Sequence, residues 1–187
     1  MTEKYFITPE ETILIITDIQ EKLVKAMDKE IAKSVIKNNS ILIETAKLFN
    51  IPLIITEQYP KGLGETVDEI KEVLPFYNPI EKITFSSLGE TKFEEELYRY
   101  NLRKKVILTG METHVCVWQT CIDLLKKGYT VFVPKDAVCS RKKMDWETGL
   151  DLIKSAGGII TTTETLVFQI LKKAGTNEFK KVLEHIK

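Results

Sequence analysis

The repeated alternation of short apolar runs with longer segments of helical periodicity constrains the fold of this chain more than any other feature. The clearest run is Thr12–Thr17 (TILIIT), which has the β-branched and apolar character of a strand buried on both faces. In the segment 30–49, apolar side chains return every three or four positions, which indicates an amphipathic helix. The alternation occurs about six times, and right-handed crossovers place each helix over the sheet. We therefore predict one doubly wound α/β domain over residues 1–187, with a mostly parallel sheet of about six strands and helices on both faces.

The same patterns give approximate bounds for the individual elements. We predict strands at residues 12–17, 53–56, 80–85, 106–108, 130–133 and 159–162. We predict helices at residues 30–49, 67–74, 93–102, 115–125, 145–156, 164–173 and 178–186. The segment 57–66 contains one proline and two glycines, so we interpret it as a loop at the carboxyl end of the second strand.

Three chemically active side chains follow the carboxyl ends of predicted strands. Asp18 ends the first strand, and Cys116 lies just after the fourth. In the common strand order 3-2-1-4-5-6, the first and fourth strands are neighbours where the winding reverses, and ligands bind beyond their carboxyl ends. Lys82, on or after the third strand, has a side chain long enough to reach the same place. The topology therefore predicts that a carboxylate, an ammonium group and a thiol converge in one crevice.

Cys116 is the candidate nucleophile. The stretch 105–127 has the pattern of strand, turn and helix, with Thr113 in position to cap the helix and Cys116 in its first turn. Unpaired N–H groups and the helix dipole at that place favour a thiolate over a thiol. The alternative is that Cys116 is a small buried hydrophobe, as free cysteines often are.

Other reactive side chains in this region have structural interpretations. A dyad of Cys116 with His114 is the rival catalytic hypothesis, but residues two apart at the start of a helix point in different directions. We interpret His114 as a residue of the pocket rim or a cap, and Cys121, on another side of the helix, as packing. Asp136 also ends a strand, although an aspartate at such a junction more often bonds backbone N–H groups than takes part in catalysis.

Charge and targeting signals argue against nucleic-acid and membrane partners. Lysine plus arginine and aspartate plus glutamate both total 27, so no net charge draws the chain to nucleic acid or an anionic membrane. The N-terminus lacks a basic segment followed by an apolar core, and no apolar run approaches the ~20 residues of a membrane span. We expect a cytoplasmic protein whose three cysteines are reduced thiols.

The motifs of common cofactor and metal sites do not occur in the sequence. A dinucleotide site needs a glycine-rich turn after the first strand, where residues 18–21 read DIQE. A Walker lysine motif does not occur either. The histidines are His114 and His185 only, and no set of His, Cys or carboxylate ligands has the spacing of a zinc or iron site. We expect an active protein without cofactor or metal.

Four segments of the chain resemble the isochorismatase-like cysteine hydrolase family. The longest, TGMETHVCVWQTCIDLLKKGYTVFVPKDAVCSR at residues 109–141, is similar to the family signature. TDIQEKL, TEQYPKGLGETV and EKITFSSL are similar to its other three segments, and the resemblance runs from about residue 12 to residue 168. The loop TEQYPKGLG and the phrase DAVCSR look most like the subgroup of isochorismatase domain-containing proteins.

The resemblance implies a mechanism for the three converging side chains. It assigns a catalytic triad to Asp18, Lys82 and Cys116, and an oxyanion hole to the backbone N–H groups of Glu112 and Cys116. Asp18 would take the thiol proton, and Cys116 would attack an amide-type carbonyl carbon to give an acyl-enzyme that water resolves. The resemblance also implies a cis peptide between Met111 and Glu112, and assembly into a homo-oligomer, a dimer or a tetramer.

The resemblance narrows the substrate class without naming the substrate. Nicotinamidases of the family carry an Asp-x-His metal motif after the second strand, where this chain reads TEQY, so we do not expect nicotinamidase activity. We expect a small amide, carbamoyl or imide compound in a pocket built by Gln20, Tyr59 and Phe85, with Gln58 as a further contact candidate. True isochorismatases hydrolyse a vinyl ether without needing the cysteine. That reaction is a second possible activity, and a non-catalytic role in binding a metabolite or partner is a third possible function.

Overall fold

The computed structural model describes residues 2–186, and a parallel sheet of seven strands forms its centre. The strands are β1 (Thr12–Thr17), β2 (Leu53–Gln58), β3 (Ile80–Lys82), β4 (Lys105–Met111), β5 (Thr130–Pro134), β6 (Val138–Cys139) and β7 (Ile159–Thr161). Their order is β3-β2-β1-β4-β5-β7, and β6 pairs with β4 outside this path. All of these pairs are parallel. The expected doubly wound strand order is confirmed.

Helices connect successive strands along the chain. They are α1 (Glu21–Ala26), α2 (Lys29–Leu48), α3 (Pro60–Leu63), α4 (Asp68–Lys71), α5 (Thr91–Tyr98), α6 (Trp118–Lys126), α7 (Lys143–Ser155), α8 (Thr163–Leu171) and α9 (Asn177–Ile186). A π-helical turn, Thr113–Val117, precedes α6. Between residues 2 and 186, no helix combines the length and the apolar character that a membrane span requires.

Alternate side chains of the central strands pack into two separate hydrophobic cores. Leu14 and Ile16 of β1 point to one face, where they join apolar side chains of α2, α8 and α9. Ile13 and Ile15 point to the other face, where α5, α6 and α7 supply the partners. A strand buried on both faces needs apolar residues at successive positions, which explains the unbroken run Ile13–Ile16 between the two threonines. The prediction of helices on both faces is confirmed.

The carboxyl ends of β1 and β4 approach each other very closely. Thr17 pairs with Gly110, whose φ is +107°. A Cβ atom at Gly110 would lie 1.8 Å from the carbonyl oxygen of Thr17, so only glycine fits this position. The contact fixes the distance between the residues that follow the two strands.

The structure adds elements that the sequence patterns did not predict. β6 has only two residues and pairs with β4 at Gly110 and Met111, beyond the point where β5 pairs with β4. Such a short strand is below the length at which alternation or an apolar run is detectable. The segment interpreted as a loop contains α3, which is one helical turn, and α1 also lacked a clear apolar stripe. The part of the chain from residue 2 to residue 186 therefore contains seven strands rather than about six.

Candidate active site

Three side chains from separate segments meet beyond the carboxyl ends of the central strands. Asp18 follows β1, Lys82 is the last residue of β3, and Cys116 lies in the π-helical turn after β4. The Lys82 Nζ atom lies 2.7 Å from Asp18 Oδ2, and both side chains are fully buried. The Cys116 thiol is close enough to feel both charges, because Asp18 raises and Lys82 lowers the pKa of its thiol, and this residue is 6% exposed. The predicted convergence of carboxylate, ammonium group and thiol is therefore present.

Asp18 is held in one orientation by its neighbours on β2. Its backbone has a positive φ of 52°, which turns the chain sharply at the end of β1. The Thr56 hydroxyl donates to Oδ1 over 2.7 Å, and the Asp18 N–H donates to the Thr56 carbonyl over 3.2 Å. Oδ2 receives no well-directed hydrogen bond from the part of the chain between residues 2 and 186, although the Lys82 ammonium group is adjacent. This oxygen is therefore placed to accept a further proton.

The Lys82 ammonium group is surrounded by oxygen atoms. Besides its ion pair with Asp18, it makes a hydrogen bond to Gln58 Oε1 over 2.7 Å. The carbonyl oxygens of Thr84 and Phe85 lie 3.4 and 3.3 Å away. A buried ammonium group is stable only when it is paired and hydrogen-bonded, and this arrangement meets both conditions.

The Cys116 thiol is protonated in the resting site. Burial raises its pKa to about 12, and the negative charge of Asp18 adds to this effect while the Lys82 ammonium group opposes it. The expectation that the helix start favours a thiolate was wrong, because the loss of hydration outweighs the backbone N–H groups. The expected cap is absent as well: the helix starts with a π-helical turn, and the buried Thr113 hydroxyl has no hydrogen-bond partner among residues 2–186. Attack by Cys116 therefore requires a base.

The other two cysteines lack this environment. Burial raises the pKa of Cys121 and Cys139 to about 12 as well. Within residues 2–186, the pKa of Cys121 is raised by burial alone, and the negative charge of Glu112 adds to burial at Cys139. All three cysteines are free thiols, as expected, and Cys121 lies in the core as predicted. Cys116 differs from them by having a carboxylate and an ammonium group beside it.

His114 is directed away from the nucleophile. Its Nδ1 atom lies 2.9 Å from the hydroxyl oxygen of Ser140, and its Nε2 atom is 4.0 Å from Asp145 Oδ2. Both ring nitrogens thus face the segment after β6 and the start of α7. This geometry supports the interpretation of His114 as a rim residue and gives no support to the Cys-His dyad.

The turn between β4 and the π-helical turn has an unusual backbone. The peptide between Met111 and Glu112 is cis, which confirms that prediction. The Glu112 side chain accepts two hydrogen bonds at Oε1 from Arg141, one from its N–H at 3.1 Å and one from Nε at 3.0 Å. These bonds raise the pKa of the Arg141 guanidinium group and tie the turn to the segment that follows β6.

The three candidate pocket residues have different surroundings. Tyr59 and Phe85 are 55% and 53% exposed and lie on the segments that follow β2 and β3. Gln20 is fully buried, and its amide is bonded to backbone at both ends. Oε1 accepts from Gln58 N over 2.8 Å, while Nε2 donates to the carbonyl oxygens of Gln58 and Gly64. Gln20 therefore clamps the loop after β2, whereas Tyr59 and Phe85 keep exposed rings.

Asp136 bonds a backbone N–H group, which is the structural role that the sequence favoured over catalysis. Its Oδ1 atom accepts from the N–H and the hydroxyl of Thr163 at the start of α8.

The residues that sequence reasoning missed are Thr56, which orients Asp18, and Glu90, which bonds the N–H groups of Ile83 and Thr84. Thr56 could have been found, since it ends the predicted second strand and therefore lies at the same edge of the sheet as Asp18.

Comparisons with known proteins point to a single family. The family model described as "Isochorismatase domain" matches residues 12–165. The "Secreted isochorismatase effector Isc1" of Phytophthora sojae is 37% identical over 182 residues, which cover 96% of this chain and 86% of that protein. "Isochorismatase domain-containing protein 2A" of Mus musculus is 32% identical over 181 residues, with coverages of 97% and 85%. A solved structure described as the MAR1 ribonuclease of Caenorhabditis elegans superposes with a TM-score of 0.88 at 37% identity, and the match covers 97% of this chain and 92% of that one.

Proposed function

Because this chain belongs to the isochorismatase family, we propose that it is a metal-independent cysteine hydrolase of a small amide, carbamoyl or imide compound. The observation that carries the proposal is the buried Asp18–Lys82 ion pair beside the protonated Cys116 thiol. A base next to a nucleophile, with a third group that orients the base, is the arrangement that nucleophilic catalysis requires.

The first half of the reaction forms an acyl-enzyme. Cys116 Sγ attacks the carbonyl carbon, and the thiol proton passes to Asp18 as the new S–C bond forms. The carbonyl oxygen becomes negative and is held by the backbone N–H groups of Glu112 and Cys116. The C–N bond then breaks, and the leaving nitrogen takes the proton back from Asp18. The amine departs, and the acyl group stays on Cys116.

The second half returns the enzyme to its resting state. Water attacks the thioester carbon while Asp18 accepts a proton from that water. When the S–C bond breaks, the proton passes to Cys116 Sγ and the acid product leaves. Lys82 does not transfer a proton in this scheme. Its charge pairs with Asp18 and offsets the negative charge that develops on sulfur and oxygen.

Assembly and location are part of the proposal. We expect a homo-oligomer, a dimer or a tetramer, in the cytoplasm. Light scattering of the purified protein tests the first expectation, and a monomer at micromolar concentration would contradict it. Fractionation of the source cells tests the second, because the relative from Phytophthora sojae is named as a secreted effector.

Ribonuclease activity is a second candidate function. It is favoured by the similar structure described as a ribonuclease, at 37% identity. The balance of 27 basic and 27 acidic residues argues against it, since nucleic-acid affinity depends on positive charge. Incubation with homopolymer RNA distinguishes the ribonuclease from the cysteine hydrolase. RNA cleavage that persists in Cys116→Ala would favour a nuclease whose site lies elsewhere. Hydrolysis of a vinyl ether and non-catalytic metabolite binding have less support, because neither makes use of the Cys116 thiol.

Mass spectrometry of the intact protein with a panel of small amides, carbamoyl compounds and imides tests the proposed mechanism. An acyl adduct that appears on the wild type and is absent from Cys116→Ala is the expected result. Cys121→Ala is the matched control, since it removes another buried thiol with a pKa of about 12 and should keep the adduct. Turnover of a panel compound by Cys116→Ala at the wild-type rate would contradict the cysteine mechanism.

A further inference from the structure

Within residues 2–186, the Lys82 ammonium group donates a hydrogen bond to one side-chain oxygen besides its ion pair with Asp18. This partner is Gln58, the last residue of β2, which pairs with Lys82 in the parallel β2–β3 register. The contact between Gln58 Oε1 and Lys82 Nζ is 2.7 Å, the same length as the ion pair with Asp18. The ammonium group is thus held between a carboxylate on one side and a neutral amide on the other.

Hydrogen bonding fixes the orientation of the Gln58 amide. Its Nε2 atom donates to the carbonyl oxygen of Ile83 over 2.7 Å. In the flipped orientation, the NH₂ group would face the ammonium group and Oε1 would face the carbonyl oxygen, so both contacts would be repulsive. Only the observed orientation satisfies both neighbours.

The backbone of Gln58 is anchored as firmly as its side chain. Gln20 accepts from Gln58 N over 2.8 Å and donates to its carbonyl oxygen over 3.0 Å. The turn that bonds to Lys82 is anchored too, because Glu90 Oε1 accepts from the N–H groups of Ile83 and Thr84. These bonds connect the segments after β1, β2 and β3 around the ammonium group.

We infer that Gln58 is a positioning residue, whose amide holds the Lys82 ammonium group against Asp18 without adding a second negative charge to the site. Our inference rests on the proposed function, because it assigns Gln58 a role only if Asp18 and Lys82 serve Cys116. A carboxylate at this position would share the ammonium group with Asp18. Asp18 would then be easier to protonate, and negative charge on sulfur would be less stable. The uncharged amide is therefore the suitable acceptor.

Alkylation of Cys116 by iodoacetamide measures this role without a known substrate. Cys116 Sγ attacks the CH₂ carbon, iodide leaves, and the thiol proton passes to Asp18. The rate at each cysteine is followed by peptide mass spectrometry from about pH 4 to pH 9. The charged groups that act on the Cys116 thiol are Asp18 and Lys82. The other nearby carboxylates are bonded elsewhere: Glu57 to Thr66 and Tyr77, Glu90 to Ile83 and Thr84, and Glu112 to Arg141.

Two variants of Gln58 separate charge from shape. Gln58→Glu adds a carboxylate in the same volume. The pH below which the alkylation rate of Cys116 falls, called here the acid limb, should rise by about one unit. At any pH below the acid limb the rate should then be about tenfold lower than in wild type. Gln58→Met keeps the charge of the site and removes the acceptor. It should lower the alkylation rate at neutral pH severalfold and leave the acid limb at its wild-type pH. If Gln58 had only a structural role, the acid limb would not move in Gln58→Glu either.

Gln169→Glu is the matched control. This glutamine also joins two backbone groups, accepting from Ile7 N over 3.1 Å and donating to the Tyr5 carbonyl over 3.2 Å, on the N-terminal segment. It should keep the wild-type Cys116 profile. If Gln58→Glu fails to fold, Gln58→Met decides by comparison with Cys121. Loss of positioning slows Cys116 alone, whereas a loosened fold speeds alkylation of the buried Cys121.

The possible failures are distinguishable. A fast wild-type Cys116 whose profile is unchanged in Gln58→Glu and Gln58→Met would overturn the positioning role and leave the proposed hydrolase intact. Equal loss at every pH in both variants, with faster alkylation of Cys121, would also overturn it. A wild-type Cys116 that reacts no faster than Cys121 and Cys139 would overturn the proposed function and the inference together.

Discussion

The Asp18–Lys82 ion pair should show strong thermodynamic coupling in a double-mutant cycle. Lys82→Met removes the ammonium group and leaves a buried carboxylate without its partner. Asp18→Asn removes the carboxylate and leaves a buried ammonium group. The double variant Asp18→Asn with Lys82→Met leaves neither charge, so it should be more stable than the sum of the two single changes predicts.

The magnitude follows from the geometry. At 2.7 Å and an effective dielectric constant of about 20, the gross attraction between the two charges is about 6 kcal/mol, which is an upper bound on the coupling. Desolvation offsets much of it, because both side chains are fully buried. Removing one partner of such a pair costs about 3–5 kcal/mol. We expect each single variant to lose that much stability and the cycle to give a coupling of about 2–3 kcal/mol.

Urea unfolding followed by circular dichroism measures these quantities. Wild type, the two single variants and the double variant are compared at one neutral pH, so that their four free energies of unfolding complete the cycle.

The exposed pair of Lys25 and Glu21, at 3.9 Å, is the control, and its cycle should give less than about 1 kcal/mol. Additive effects at Asp18 and Lys82, with a coupling below about 0.5 kcal/mol, would refute the ion pair as described.

Other expectations address the metal, the backbone and the choice of base. Turnover of a panel substrate should survive dialysis against a strong chelator. The reason is that no group of three or more His, Cys, Asp or Glu side chains between residues 2 and 186 is arranged to hold a metal ion. Loss of activity that added zinc or iron restores would contradict this prediction. Gly110→Ala should lower the free energy of unfolding by at least about 3 kcal/mol or prevent folding, because the added Cβ atom would lie 1.8 Å from the Thr17 carbonyl oxygen. Gly128→Ala is the control and should lose less stability, because Gly128 has a φ of +82° but no neighbour within 4 Å of an added Cβ atom. Thermal melting measures both. Asp18→Asn should lose roughly two to four decades in turnover while His114→Ala stays near the wild-type rate, and the opposite result would make His114 the base.

The sequence predicted the location of the candidate site because parallel strands carry their own directional information. Each apolar run ends at a defined residue, and the carboxyl ends of neighbouring parallel strands lie together. Asp18, Lys82 and Cys116 could therefore be assigned to one crevice from their positions after three runs. The order of the strands was the only additional assumption, and it is confirmed.

Properties that depend on the summed surroundings of an atom were beyond sequence patterns. The pKa of Cys116 is set mainly by how much water the fold removes from the thiol, and the local helix start suggests the opposite direction. Gln58 was interpreted as a substrate-contact candidate because the predicted loop 57–66 follows the carboxyl end of the second strand. Its actual bond to Lys82 depends on the register of β2 with β3, which no pattern within either strand specifies. The π-helical turn at Thr113–Val117 likewise has the same apolar spacing as an α-helix over so few residues.

The parallel arrangement of β1, β3 and β4 has a consequence for folding. A hairpin brings neighbouring strands together through a short turn, but here 63 residues separate Asp18 from Lys82 and 97 separate Asp18 from Cys116. Closing such long loops is slow compared with forming local helices. During refolding, helical circular dichroism should therefore recover well before Cys116 reaches the alkylation rate that it has in the native protein. That rate would report the last long-range strand pairings without any attached label.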